Sequence, residues 1–125
     1  MQHVILGKEV VFIKVYKDLT GFKNLLGLMW RINMSIQWLF VVIEDRKNNP
    51  TEKSYTSSLF KDGLPKMAQK VGEEGTEVVV AALAQDDQRL IEEVADLTYH
   101  TLVLLSARGL SPANVLAELE KRHKK

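Results

Sequence analysis

The feature that most constrains the fold is a pair of long segments with helical periodicity, joined by a very short connection. The first covers about residues 64–84, and the second runs from Asp86 or Asp87 to about Arg108. An aspartate suits the N-cap of the second segment, and Gly109 is a typical helix stop. Because short connections make neighbouring helices antiparallel, we expect these two helices to lie side by side in opposite directions.

Shorter helices are predicted on both sides of this pair. One begins after Ser35 and ends before Pro50, because the residue preceding a proline is pushed out of the α region. A short helical segment covers residues 55–61, and a last helix runs from Pro112 to about His123. The sequence therefore predicts an all-α domain. A helical domain of this size often completes its core by pairing with a second copy, so a homodimer is expected.

The first 33 residues have a different character. Residues 10–16 are rich in β-branched and aromatic side chains, which is typical of a strand. A single strand has no partner here, and even a lone hairpin would be marginal. Three interpretations stay open: this segment packs on the rest, it is a poorly ordered extension, or translation begins at Met34. We treat residues 1–33 as an unassigned N-terminal extension.

Composition and charge exclude several classes of function. The chain is 46% hydrophobic and 26% charged, as expected of a folded protein, and its net charge of +1 gives no basic field for nucleic acid. The absence of cysteine excludes disulfides, cysteine-bound zinc and thiol nucleophiles. Apolar stretches such as residues 38–43 are too short to span a membrane, and no signal peptide is visible. A cytoplasmic protein without nucleic-acid or membrane partners is expected.

Each long helix carries the pattern acid-acid-x-x-acid. At about 100° per residue, the second and third acids of each pattern lie about 60° apart on the helical wheel. Each helix therefore presents a narrow acidic stripe, and antiparallel packing allows the two stripes to face each other. The first pattern comprises Glu73, Glu74 and Glu77, and the second comprises Glu92, Glu93 and Asp96.

Carboxylates that converge in this way repel each other and call for a cation. Mg²⁺ fits best, because it is a hard ion that proteins bind through a few carboxylates together with substrate phosphates. Such an ion would offset charge on a leaving pyrophosphate and activate a water. No Ser/His/Asp or Cys/His nucleophile signature is visible, so attack by activated water is the simpler mechanism. From the pattern alone, solvated helix surfaces remain the alternative.

Several short sequence motifs, in order from about Ser35 to His123, resemble those of the phosphoribosyl-ATP pyrophosphatase family. They include the signature of the wider MazG-like all-α NTP pyrophosphatase superfamily, Glu-Glu-x-x-Glu followed by Glu-x-x-Asp. The motifs are residues 38–47 (WLFVVIEDRK), 54–56 (SYT) with Leu59 and Phe60, 70–74 (KVGEE), 93–97 (EVADL) with Tyr99 and His100, and 107–110 (ARGL).

The resemblance implies a MazG-like helical bundle completed by homodimerisation, with residues 34–125 as the pyrophosphatase domain. It implies hydrolysis of phosphoribosyl-ATP to phosphoribosyl-AMP and pyrophosphate, the second step of L-histidine biosynthesis, with Mg²⁺ as cofactor. In many organisms the domain follows a cyclohydrolase that uses cysteine-bound zinc, but this chain has no cysteine and residues 1–33 are too few. The metal-ligand positions implied by the superfamily pattern are Glu74, Glu77, Glu93 and Asp96.

Other charged residues near these motifs are further candidates for the site. Glu73 is a candidate for a general base or for a group supporting the metal ligands. Lys70 lies on the acidic face and is expected to bind a substrate phosphate rather than only pair with acids. Arg46 and Lys47 end the first helix, where they either compensate the helix dipole or contact the substrate. They are the first candidates for the phosphate of the additional ribose.

Three further side chains are expected to be structural or ambiguous. Arg89 is expected to form a surface ion pair, and His100 to lie in the core or an interface. Tyr55 either orders its loop or stacks on a base. Two other functions stay open: a housekeeping pyrophosphatase of free or noncanonical NTPs, with the same metal site and another pocket, and a helical dimerisation module that has lost its chemistry.

Overall fold

The computed structural model describes residues 36–124, and this part of the chain consists of helices without strands, which confirms the all-α prediction. None of its helices is both long and apolar enough to cross a membrane. The expectations for residues 1–33 lie outside the described residues. The helices are α1 (Ile36–Asn48), α2 (Tyr55–Asp62), α3 (Leu64–Ala84), α4 (Asp87–Ala107) and α5 (Pro112–His123).

The centre of the molecule is the antiparallel hairpin of α3 and α4, each 21 residues long. Only Gln85 and Asp86 connect them. Asp86 is the N-cap of α4, and its side chain accepts a hydrogen bond from the Arg89 backbone N–H at 2.9 Å. The hairpin ends at Gly109, whose φ of 70° is a conformation that other residues adopt only with strain. The contacts between α3 and α4 along the hairpin confirm the predicted pairing, and Gly109 confirms the predicted stop.

The apolar core lies between α1, α2, the first turn of α3 and the second half of α4. The tip half of the hairpin, by contrast, has apolar side chains on its surface. One end of the hairpin is therefore fixed by packing against α1 and α2. The core comprises Leu39, Phe40, Ile43, Leu59, Met67, Tyr99, Leu102 and Val103.

Polar contacts fix the same end of α4 to α1 and α2. The fully buried Ser106 hydroxyl donates to Glu44 Oε1 at 2.8 Å, and Lys47 Nζ donates to the Ser106 carbonyl at 2.8 Å. One turn or more earlier, the buried hydroxyls of Tyr99 and Thr56 share a hydrogen bond between α4 and α2. These contacts fix the position of α4 along its own axis. That position determines which of its side chains lie opposite α3.

Candidate metal centre

Three carboxylates from the two long helices meet inside the hairpin. Glu74 and Glu77 come from α3 and Glu93 from α4, and each offers an oxygen that lies within 4.8 Å of the others. We call these residues the carboxylate cluster. Glu74 and Glu93 are each only 2% exposed, and Glu77 is partly buried. The cluster forms because residues three apart on α3 share a face, and the antiparallel α4 brings Glu93 against that face.

The electrostatics of the cluster fit a hard divalent cation. Burial raises the pKa of Glu77 from 4.5 to about 8, helped by hydrogen bonds with Glu93 and Glu74 and by their negative charges. Within the described residues, Glu93 Oε2 is buried without a hydrogen-bond partner. Buried carboxylate oxygens that hold a proton or lack a donor favour a cation at the same place, since hard ions bind such oxygens.

A basic side chain on each helix lies beside the cluster. Lys70 Nζ is 3.1 Å from Glu73 Oε2 and 3.5 Å from Glu74 Oε1, and Arg89 Nη2 is 2.7 Å from Glu93 Oε1. Burial alone would lower the pKa of Lys70, but the hydrogen bond to Glu73 and the nearby negative charges raise it. Lys70 therefore stays protonated at neutral pH. The ion pair expected for Arg89 reaches a buried carboxylate as well as Glu92 on the surface.

Glu73 lies outside the carboxylate cluster. Its side chain is 42% exposed, and it accepts hydrogen bonds from Gln69 Nε2 at 2.7 Å and from Lys70 Nζ at 3.1 Å. These bonds lower its pKa, which makes it a weak base. Its link to the cluster is the ammonium group of Lys70, which contacts both Glu73 and Glu74.

Asp96 lies one turn after Glu93 and is buried, but it is outside the group whose oxygens all lie within 4.8 Å of one another. Its negative charge acts on Tyr55, a half-buried residue of α2. Burial raises the pKa of Tyr55, Lys70 opposes that rise, and Glu74 and Asp96 add to it. Asp96 therefore faces the same region as the cluster, and its assignment as a metal ligand stays a prediction.

Arg46 and Lys47 have contacts at the ends of neighbouring helices. Besides its bond to Ser106, Lys47 lines a cleft of about 710 Å³ together with Lys61. Arg46 lies 3.6 Å from Asp45, and its backbone carbonyl accepts a hydrogen bond from Ser57. The bond to Ser106 gives Lys47 a structural role, and the assignment of both residues to the substrate stays a prediction.

His100 is the neighbour of the cluster that sequence reasoning assigned to the core. Its Nε2 lies 3.8 Å from Glu74 Oε1. A signal was present, because His100 falls between Glu93 and Asp96 on the helical wheel. A wheel gives direction but not the partner across the hairpin, so the contact itself was missed.

The fold and this site define a class: all-helical proteins in which an antiparallel hairpin buries carboxylates suited to a hard cation. Comparison with known proteins makes the assignment specific. The family model described as phosphoribosyl-ATP pyrophosphohydrolase matches residues 38–123. The chain belongs to this family, as its sequence motifs indicated.

Named relatives agree with that model. A phosphoribosyl-ATP pyrophosphatase of Clostridium botulinum is 48% identical over 93 residues, which cover 74% of this chain and 84% of the relative. One of Erythrobacter litoralis is 52% identical over 88 residues, covering 70% and 85%. One of Sulfurisphaera tokodaii is 49% identical over 86 residues, covering 69% and 92%. The similarity thus extends over most of each relative.

Proposed function

We propose that the chain hydrolyses phosphoribosyl-ATP to phosphoribosyl-AMP and pyrophosphate, the second step of L-histidine biosynthesis. The observation that carries this proposal is the family match, which spans residues 38–123 and so includes the whole carboxylate cluster. The relatives named above are called phosphoribosyl-ATP pyrophosphatase. The protein is therefore a hydrolase, and we propose the cytoplasm as the place of its activity.

We assign the carboxylate cluster to Mg²⁺, with Asp96 as a fourth ligand. When bound, this ion would offset negative charge on the phosphate oxygens and lower the pKa of the attacking water. The protein's part is to hold the carboxylates in place. Arg89 holds Glu93 on α4, while Lys70 holds Glu74 on α3. The loss of the Glu77 proton would accompany ion binding, because metal ligands bind in their ionised form.

Lys70 supplies a fixed positive charge for a substrate phosphate. Its ammonium group is buried beside the cluster and stays protonated at neutral pH. Glu73 acts through Lys70, because its low pKa does not suit a general base and its closest contacts are Lys70 and Gln69. Positioning phosphates and neutralising their charge is what phosphoryl chemistry chiefly demands of a protein.

The phosphate of the additional ribose needs a cation outside the cluster, and Arg46 and Lys47 remain the candidates. Lys47 allows a matched test, since Lys61 lines the same cleft. We expect Lys47→Met to raise KM for phosphoribosyl-ATP at least about tenfold, the value of one charged contact, and Lys61→Met to leave it unchanged. Equal effects of the two substitutions would remove Lys47 from the substrate site.

We also propose that the protein forms a homodimer through exposed apolar side chains. These are numerous along the tip half of the hairpin and on α5, which contains no buried residue. Patches of this kind are usually covered in an assembly. Sedimentation equilibrium should give twice the chain mass, and Leu83→Glu should weaken the dimer. A monomer at all concentrations would contradict this. The exposed side chains include Val79, Val80, Leu83, Ile91, Val94, Val115, Leu116 and Leu119.

Growth without histidine tests the proposed function in a cell. The gene should restore growth to a bacterium lacking its own phosphoribosyl-ATP pyrophosphatase. Glu93→Gln should abolish the rescue, because it removes a buried cluster charge, whereas Glu118→Gln on the exposed face of α5 should not. Failure of the wild-type protein to restore growth, despite normal expression, would contradict the histidine assignment.

A further inference from the structure

A buried histidine lies against the carboxylate cluster and has no part in the mechanism described above. The His100 side chain has 0% of its surface exposed, and its Nε2 is 3.8 Å from Glu74 Oε1. The contact crosses the hairpin from α4 to α3. Since Glu74 is itself almost fully buried, neither group can exchange this contact for water.

Two aromatic neighbours fix the position of the His100 ring. It meets the Tyr99 ring edge-on at a centroid distance of 5.1 Å, and the Tyr55 ring edge-on at 6.1 Å. In an interior packed this closely, the ring cannot turn without displacing its neighbours. The edge of the His100 ring that faces Glu74 is therefore held in place.

Two nitrogen groups lie near Glu74 Oε1, one from each helix of the hairpin. Lys70 Nζ approaches from the same helix at 3.5 Å, and His100 Nε2 approaches from α4 at 3.8 Å. The His100 separation is longer than a hydrogen bond, so the ring acts through its shape and its local polarity. Both groups restrict the orientations open to the buried Glu74 carboxylate.

We propose that His100 is a positioning residue, which holds the Glu74 carboxylate in the orientation that the cation requires. This inference rests on the proposed magnesium site. Groups that orient the ligands of a metal commonly contribute about 10- to 100-fold to its affinity. The role expected of His100 is thus an effect on Mg²⁺ affinity rather than on the fold.

The test is calorimetric titration of the full chain with MgCl₂ in the absence of substrate. His100→Phe keeps a ring between the two tyrosines but removes both nitrogens. We expect it to weaken Mg²⁺ binding by about 10- to 100-fold, with an unchanged far-UV circular dichroism spectrum. Tyr99→Phe is the matched control, because it damages the same core by removing the bond to Thr56. It should lower thermal stability and leave Mg²⁺ affinity within about twofold of the wild type.

Further variants keep the outcome decisive. His100→Gln places an amide nitrogen near the position of Nε2, whereas His100→Asn is too short to do so. The His100→Gln variant should therefore bind Mg²⁺ more tightly than the His100→Asn variant. This comparison stands even if the His100→Phe variant does not fold. Wild-type affinity in a folded His100→Phe protein, or equal affinities for the Gln and Asn variants, would overturn the inference. Absence of Mg²⁺ binding by the wild-type protein would overturn the magnesium proposal, and this inference with it.

Discussion

Replacement of Glu77 by glutamine should stabilise the protein when no metal is present. The folded cluster keeps a proton on Glu77 up to a pKa of about 8, whereas the unfolded chain loses it near 4.5. The contribution of Glu77 to wild-type stability therefore falls as the pH rises from about 4.5 to about 8, by up to about 1.4 kcal/mol per pH unit. Glutamine is neutral at every pH and can donate to Glu74 and Glu93 as the protonated carboxyl does, so the variant avoids this loss.

The size of the gain follows from the same values. At pH 7 the upper bound is about 3 kcal/mol, and because Glu77 is partly exposed to solvent we expect about 1–2 kcal/mol. The gain should vanish near pH 4.5, where both states hold the proton, and reach its full size near pH 8. Other charges facing Glu77 are those of Glu74 on its own helix and of Arg89 and Glu93 on α4.

Urea unfolding with EDTA, at pH 5 and at pH 8 and one fixed protein concentration, measures this gain. Glu73→Gln is the matched control: it removes one acid from the same helix, but the bonds to Gln69 and Lys70 lower the pKa of Glu73. That variant should be slightly less stable than the wild type at pH 8, by less than about 1 kcal/mol. A Glu77→Gln gain of equal size at both pH values, or a loss at pH 8, would refute the reasoning from carboxylate repulsion.

Two further outcomes are expected. Deletion of residues 1–33, so that the chain begins at Met34, should leave folding and activity intact, because the family match begins at Trp38; a folded but inactive truncated protein would show that the segment belongs to the working molecule. Thr56→Val should lower the free energy of unfolding by about 1–3 kcal/mol, because it removes the buried hydrogen bond between the Thr56 and Tyr99 hydroxyls. Urea unfolding of this variant is compared with that of Ser58→Ala, which removes an exposed hydroxyl from the same helix; equal stabilities of the two variants would show that the bond does not matter.

Local signals were sufficient to predict the helices. Asp86 and Gly109 mark the start and the end of α4, and Pro50 follows α1, because caps and breakers act within one turn. The same holds for Glu74 and Glu77, whose shared face follows from spacing alone. These signals do not determine the relative axial positions of α3 and α4. Those positions bring Glu93 directly against the α3 carboxylates.

Contacts between residues distant in the chain account for the rest. Asp96 repeats the spacing of Glu77, yet it lies outside the group of three oxygens. Lys47 donates to a carbonyl 59 residues away, and His100 faces a carboxylate on another helix. Ile36 begins a regular apolar pattern but is 54% exposed. The exposure could not be predicted, because an apolar pattern does not show where the neighbouring helices end.

The most direct test of the account is the initial rate of pyrophosphate release from purified protein, measured with phosphoribosyl-ATP and with ATP. With Mg²⁺ we expect release of pyrophosphate rather than single phosphate, and a strong preference for phosphoribosyl-ATP. Excess EDTA should abolish the reaction, and Glu77→Gln should lower it by at least about 100-fold, as expected when a metal site loses a ligand charge. Equal rates with both nucleotides, or a rate that EDTA and Glu77→Gln leave unchanged, would contradict the assignment of this cluster to phosphoribosyl-ATP hydrolysis.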